Sequence, residues 1–145
     1  MKDVKKPLRI AYWNLLQGLE YNGSVIPVYD GNVPSDAPDN YLNLVNQSGT
    51  ELPRKCTFFH NDHIMINVVT KFKSGFGNDA VSDDIASLVL ERAIPAPGKS
   101  GADMGSDFKI VTTKLESDKK IKPVDEGTQR ILNRYIIISH NIQQK

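Results

Sequence analysis

Residues 57–72 constrain the fold more than any other stretch, because they hold the longest alternation of apolar and polar side chains. Apolar residues favour one parity and polar residues the other: Phe58, Ile64, Ile66, Val68 and Phe72 against Asn61, His63, Asn67 and Lys71. Successive side chains of a strand point to opposite faces of its sheet. The pattern predicts one long strand with one buried face.

Two amphipathic helices are predicted on either side of this strand. The first covers residues 8–19, where apolar residues recur at helical spacing: Leu8, Tyr12, Leu15, Leu16 and Leu19. The second follows a glycine-rich break and carries a similar stripe: Val81, Ile85, Leu88 and Val89. Asn78 or Asp79 suits its start, and Ile94-Pro95 ends it, because the residue before a proline disfavours the helical conformation.

The remaining elements are predicted to be strands joined by loops. Residues 25–29 form a short segment whose Pro27 suits a sheet edge, and residues 41–46 form another strand, followed by a turn at 47–49. Residues 107–115 and 130–142 form two closing strands. Between these elements lie a long loop at 95–106 and a charged connector at 116–129. A loop this long suggests a function or a partner.

This order predicts an α+β fold. The length of 145 residues suits one domain spanning 1–145, with an antiparallel or mixed sheet and both helices packed on one face as two layers. We expect one core made of these residues: Leu15, Leu16, Leu19, Ile64, Ile66, Val68, Ile85, Leu88, Val89, Phe108, Ile110 and Ile137.

Composition limits the classes of partner. Eighteen basic and seventeen acidic residues give a net charge of +1, whereas proteins that bind nucleic acids through phosphates usually have a clear basic excess. The single cysteine allows no internal disulfide and no cysteine-rich zinc site. The basic N-terminus is followed by an amphipathic stretch, not an apolar one, so we expect neither a signal peptide nor a membrane partner.

Three patterns suggest chemistry, and each is incomplete. Residues 97–100 (Pro-Gly-Lys-Ser) match only the end of a phosphate-binding loop, since Ala93 stands where the first glycine belongs. His60 and Asp62 share a strand face but supply two metal ligands, and His140 is a third only if its strand pairs there. Cys56 near His60 has no signature of a nucleophile. We therefore expect no enzyme activity, no metal and no cofactor.

Several local motifs resemble a known family. After the first helix come a strand-turn (Val28-Tyr29-Asp30-Gly31), a Pro/Asp/Ala loop (Val33-Pro34-Ser35-Asp36-Ala37-Pro38) and a strand led by tyrosine (Tyr41-Leu42-Asn43-Leu44-Val45). Arg134-Tyr135 leads the last strand. Over nearly the whole chain this order is similar to the tail-completion and tail-terminator proteins of tailed phages, including minor tail and head–tail joining proteins. Residues 52–56 and 95–106 fall outside the family's pattern.

The resemblance implies a virion structural protein, assembled in the host cytoplasm. Such proteins form homo-oligomeric rings in the neck or tail, contact portal, neck or tail proteins, and carry no cofactor. On this view Lys99, Asp103 and Met104 of the long loop, with Arg134 and Tyr135, contact an adjacent subunit or line a channel through which genomic DNA passes. A self-contained surface loop is equally compatible with residues 95–106.

Two other classes of function stay open. The chain could be a non-enzymatic adaptor that binds a partner peptide by adding a strand to its sheet edge. It could also be a small hydrolase that uses Cys56 or the histidines. Mass in solution or in the assembled particle separates a ring from an adaptor, and loss of activity on Cys56→Ala would reveal the hydrolase.

Overall fold

The computed structural model describes residues 1–145 and contains two helices and seven strands. The elements in chain order are α1 (Lys5–Leu15), β1 (Glu20–Tyr21), β2 (Ser24–Val25), β3 (Val28–Asp30), β4 (Asn40–Leu52), β5 (Phe59–Lys73), α2 (Ala80–Ala93), β6 (Phe108–Glu126) and β7 (Gln129–Gln144). The predicted α+β class is confirmed.

The main sheet has five strands in the order β3-β4-β5-β7-β6. Strands β3 and β4 run parallel, and the other neighbours are antiparallel, so the sheet is mixed. The predicted long strand is β5 at the centre, which pairs with β7 along its whole length, from Phe59 opposite Gln143 to Lys73 opposite Gln129. Strands β1 and β2 form a separate two-stranded hairpin.

Even-numbered residues of β5 and β7 build the core. Ile64, Ile66 and Val68 of β5 are fully buried, as are Ile136 and Ile138 of β7. We call the sheet face that carries these residues the core face and the other side the opposite face. A single cluster of 20 buried residues joins the core face to apolar side chains of both helices.

Eight of the twelve predicted core residues are buried: Leu16, Leu19, Ile64, Ile66, Val68, Ile85, Val89 and Phe108. Leu15, Leu88 and Ile110 are half-buried and pack against the cluster. Ile137 lies on the opposite face, because Ile136 and Ile138 occupy the core parity of β7. The prediction for Ile137 is wrong, since a run of four apolar residues does not reveal which parity faces the core.

Two predicted breaks in the sheet are wrong. The turn expected at 47–49 lies inside β4, and most of the connector expected at 116–129 lies inside β6. Both strands contain β-bulges, with register shifts between Leu44 and Asn46 and at three places in β6. Each extra residue reverses the alternation of side chains, so the period of two is lost although the strand continues.

Local hydrogen bonds and a glycine define the ends of the two helices. Helix α1 stops at Leu15, earlier than expected, and Gly18 follows with a φ of +71°, a conformation that glycine adopts without strain. At the start of α2, the side chain of Asn78 accepts a hydrogen bond from the N–H of Ala80 at 2.9 Å. Arg92 in its last turn donates to the carbonyls of Leu15 (3.1 Å) and Gln17 (2.7 Å), which joins the ends of both helices.

Candidate interface surfaces

The loop 95–106 is held against its own chain. Gly98 bridges to Thr113 of β6, and the N–H of Gly101 donates to the carbonyl of Ala93 at 3.0 Å. A side chain at Gly101 would place its Cβ only 1.9 Å from the carbonyl oxygen of Arg92, so this close approach requires glycine. These contacts hold the loop against β6 and the end of α2 within one chain.

The three candidate residues of this loop differ in their surroundings. The carboxylate of Asp103 accepts a hydrogen bond from the N–H of Gly105 at 2.9 Å, and Met104 packs against the core. Both therefore have a role within the chain. Lys99 lines a shallow cleft of about 440 Å³ between the loop and β6 and forms no ion pair. Among the three, Lys99 is the one free to meet a partner.

Arg134 lies at the centre of an ion-pair network. Its Nε and Nη2 atoms donate to both carboxylate oxygens of Asp118, at 2.8 and 2.5 Å, and its Nη1 donates to Asp83 of α2 at 2.8 Å. Lys120 contacts Asp83 at 2.7 Å, and this hydrogen bond is the main reason that the pKa of Asp83 is lowered. The network ties α2 to the β6–β7 hairpin. Tyr135, the next residue, is half-buried on the opposite face.

A buried polar cluster lies on the core face where β5 and β7 pair. Asp62 stands opposite His140, so the pairing required for a third metal ligand does occur. His140 is already engaged, however: its Nε2 lies 2.5 Å from the hydroxyl of Tyr12, and its Nδ1 lies 3.1 Å from the carbonyl oxygen of Asp62. A carbonyl only accepts, so Nδ1 carries the proton and Nε2 accepts from Tyr12.

The protonation states follow from burial. Burial lowers the pKa of His140 to about 4, which keeps the ring neutral at neutral pH. Burial raises the pKa of the Asp62 carboxyl, and Lys5, 3.6 Å away, opposes that rise. The Nε2 atom of His60 is buried without a partner. No group of three or more histidine, cysteine or acidic side chains is arranged to hold a metal ion.

The candidate nucleophile stands apart from these groups. Cys56 is exposed in the turn between β4 and β5 with a φ of +66°, and no hydrogen bond joins it to His60. His60 instead packs its ring edge-on to Phe108, with centroids 6.5 Å apart. The arrangement does not present an activated thiol. Neither helix has the length and apolar character needed to cross a lipid bilayer.

One group of surface residues was missed by the sequence analysis. Lys109, Lys114 and Lys119 of β6 face residues of β7 that all lie on the opposite face of the sheet. Their spacing of five residues fits neither a regular strand nor a helix. Only the positions of the β-bulges reveal that they share a face.

No protein family matches the chain, and no curated protein matches its sequence. Among solved structures, the chain is similar to one from a structure described as "Virion of native gene transfer agent (GTA) particle". The two share 16% sequence identity, with a TM-score of 0.72, over 99% of each chain. The whole chain therefore shares the fold of that protein from end to end.

Proposed function

We propose that the chain is a structural protein of a phage-like virion and performs no chemistry. The observation that carries this proposal is the likeness to a virion chain over 99% of both lengths. Cys56 is exposed and forms no hydrogen bond with His60, which disfavours a hydrolase built on that pair. The phage-tail motifs in the sequence point to the same class of particle.

Within the virion, we propose a homo-oligomeric ring in the neck or tail that joins or terminates the tail at the head–tail interface. Helix α1 contacts His140 through Tyr12, and α2 contacts Arg134 through Asp83. Both positions lie on the core face of β7, so we infer that both helices cover that face. The opposite face and the sheet edges are then available to adjacent subunits, to portal, neck or tail proteins and to the DNA they enclose.

The candidate residues have unequal parts in this proposal. Lys99 and Tyr135 are accessible enough to contact an adjacent subunit or line the channel. Asp103, Met104 and Arg134 already hold their own chain together, so their contribution is to shape the surface. In a ring built from head-to-tail contacts, each surface would meet a different surface of the next copy.

Particles made without this protein provide the test. We expect full heads that lack tails, or tails that fail to attach, in electron micrographs, and rescue by the protein supplied from a plasmid. A tagged copy should be found at the neck or tail, in several copies per particle. Normal particles without the protein, or its absence from purified particles, would contradict the proposal. Monomers in dilute solution would not, because such rings assemble on their template.

One observation favours the alternative of an adaptor that adds a strand. Strand β3 covers only Leu42, Asn43 and Leu44 of β4, so β4 has no neighbour on that side beyond the bulge. The other edge, β6, is poorly suited because it is bulged, lysine-rich and contains Pro123. Hydrogen exchange distinguishes the functions: strand addition should protect the amides of residues 46–52 first, whereas a ring should protect more than one surface.

A further inference from the structure

The lysines of β6 form a regular row. Lys109 stands opposite Gln143 of β7, Lys114 opposite Ser139 and Lys119 opposite Tyr135. These partners are four residues apart, which corresponds to about 13 Å along the strand. All three lie on the opposite face of the sheet, so the lysines do as well.

The β-bulges create this arrangement. In a regular strand, residues five apart point to opposite faces, so Lys114 would point away from Lys109 and Lys119. One register shift lies between Ile110 and Thr112 and another between Leu115 and Ser117. Each inserts one residue between neighbouring lysines, which brings all three to one face. The two bulges together therefore place the three lysine charges on one face of the sheet.

Strand β5 extends the row on the other side of β7. Lys71 stands opposite Ile131 and Lys73 opposite Gln129, again on the opposite face. The five lysines therefore follow β7 from residue 129 to residue 143, a length of about 45 Å. We call them the lysine row. Between them the face carries neutral side chains, both polar (Asn61, Asn67, Asn133, Ser139 and Asn141) and apolar (Met65, Val69, Tyr135 and Ile137).

Carboxylates are scarce on this face. The register places Asp62 and Asp118 on the core face, where Lys5 and Arg134 neutralise them. Only Glu116, in a bulge, and Glu126, at the end of the hairpin, fall beside the lysine row. The net charge of +1 thus conceals a separation of charge between the two faces.

We propose that the lysine row binds the phosphate backbone of double-stranded DNA without reading its sequence. A duplex carries a negative charge about every 1.7 Å of its axis, so lysines about 13 Å apart each find a phosphate. Asn67 and Ser139 between them are buried and hydrogen-bonded to other side chains of the face, so the lysines supply the contacts to phosphate oxygens. The inference deepens the proposed function, since it identifies the surface that would face DNA, but DNA binding by the free protein does not require a ring.

The carboxylate of Glu116 partly neutralises the positive charge of the lysine row. Its carboxylate lies 3.5 Å from Lys114 and 4.0 Å from His63. The side chains of Lys114 and Glu116 are 74% and 42% exposed, and exposed pairs of this kind are weak. Lys114 can therefore exchange this partner for a phosphate. Replacing Glu116 should free Lys114 and remove a negative charge that repels phosphate.

Fluorescence anisotropy with a labelled duplex of random sequence tests the proposal on the full chain. The row variant Lys114→Gln/Lys119→Gln is compared with Lys6→Gln/Lys55→Gln, which removes the same charge from exposed positions outside the row. At about 20 mM salt we expect the row variant to bind roughly tenfold or more weakly, and the slope of log K against log salt to fall by about 1.8. The control should stay within about twofold, and Glu116→Gln should bind more tightly.

Other outcomes overturn the proposal. Equal losses of DNA affinity in both double variants would mean that net charge alone attracts DNA. If the unmodified chain does not bind the duplex at low salt, DNA is not a ligand of this face. If the row variant binds DNA normally but no longer enters particles, the face contacts protein instead. Incorporation into particles also tests the proposed function separately, because a ring whose lysine row fails to bind DNA would still assemble.

Discussion

The two faces of the central strands differ in what their side chains do. On the core face of β5, Ile64, Ile66 and Val68 are fully buried and belong to the core cluster that also includes apolar side chains of both helices. On the opposite face, Met65 and His63 are half-buried among amides, hydroxyls and lysines. One strand thus supplies stability through one parity, and in the proposed function the other parity supplies a surface for partners. Changes on the first should alter folding, and changes on the second should alter contacts.

The largest expected effect comes from two neighbouring isoleucines of β7. Ile136 is fully buried in the core, so Ile136→Ala should lower the free energy of unfolding by about 2–5 kcal/mol, from lost burial and the cavity left behind. Ile137→Ala, on the opposite face, should cost clearly less. Urea unfolding of both variants measures the difference. Equal losses would mean that the opposite face is covered as closely as the core face.

The second effect concerns pH and His140. Its pKa is about 4 in the folded chain, below the ordinary value of 6.5, so the unfolded chain binds the additional proton between these values. Stability should fall as pH drops from about 6.5 to 4, by on the order of 2–3 kcal/mol, and this contribution should level off once the pH is well below the folded pKa. Asp62 acts in the opposite direction, because its raised pKa favours proton uptake by the folded state.

A matched variant isolates the histidine. His140→Gln keeps a polar side chain near Tyr12 but cannot titrate, so its unfolding free energy should change less between pH 7 and 4 than that of the unmodified chain. Asp62 and Lys5 remain in both proteins, and their contributions cancel in the comparison. An unchanged pH dependence would show that His140 is not the group that takes up the proton.

The third effect concerns the ion-pair network that ties α2 to the β6–β7 hairpin on the core face. Arg134→Lys keeps the charge but cannot reproduce the fork that binds both oxygens of Asp118 while reaching Asp83. The variant should lose about 1–2 kcal/mol, less than a core truncation, since Asp83 is half-exposed. Thermal unfolding at low and high salt measures it. A loss of particle assembly without a loss of stability would instead support an interface role for Arg134.

The sequence predicted the fold best where side chains alternate without interruption. The parity of β5 was read correctly because fifteen residues pair without a register shift. The predicted lengths of β4 and β6 were too short, because bulges in both strands reverse the alternation of side chains. The sequence of β7 placed Ile137 in the core because apolar residues on both parities carry no signal of orientation. Bulges depend on the neighbouring strand, which a period in one segment cannot reveal.

The candidate sites were harder to predict for the same reason. His140 was recognised as a partner for Asp62 only on condition of pairing, and the sequence could not show that Tyr12 would occupy its second nitrogen. The acidic partners of Arg134 come from α2 and β6, distant in sequence. The lysine row depends on two bulges and on the register of β7, so counting charges along the chain indicated no basic surface.

The smallest expected effect on stability is that of two exposed lysines on the opposite face. Lys114 and Lys119 are exposed, and Lys114 has only a weak pair with Glu116. Lys114→Gln/Lys119→Gln should therefore change the free energy of unfolding by less than about 0.5 kcal/mol, the usual range for surface substitutions. Urea unfolding at low and high salt measures this, with Lys6→Gln/Lys55→Gln as the control. A larger loss would mean that these lysines stabilise the sheet itself, and weaker DNA binding could then not be assigned to lost phosphate contacts.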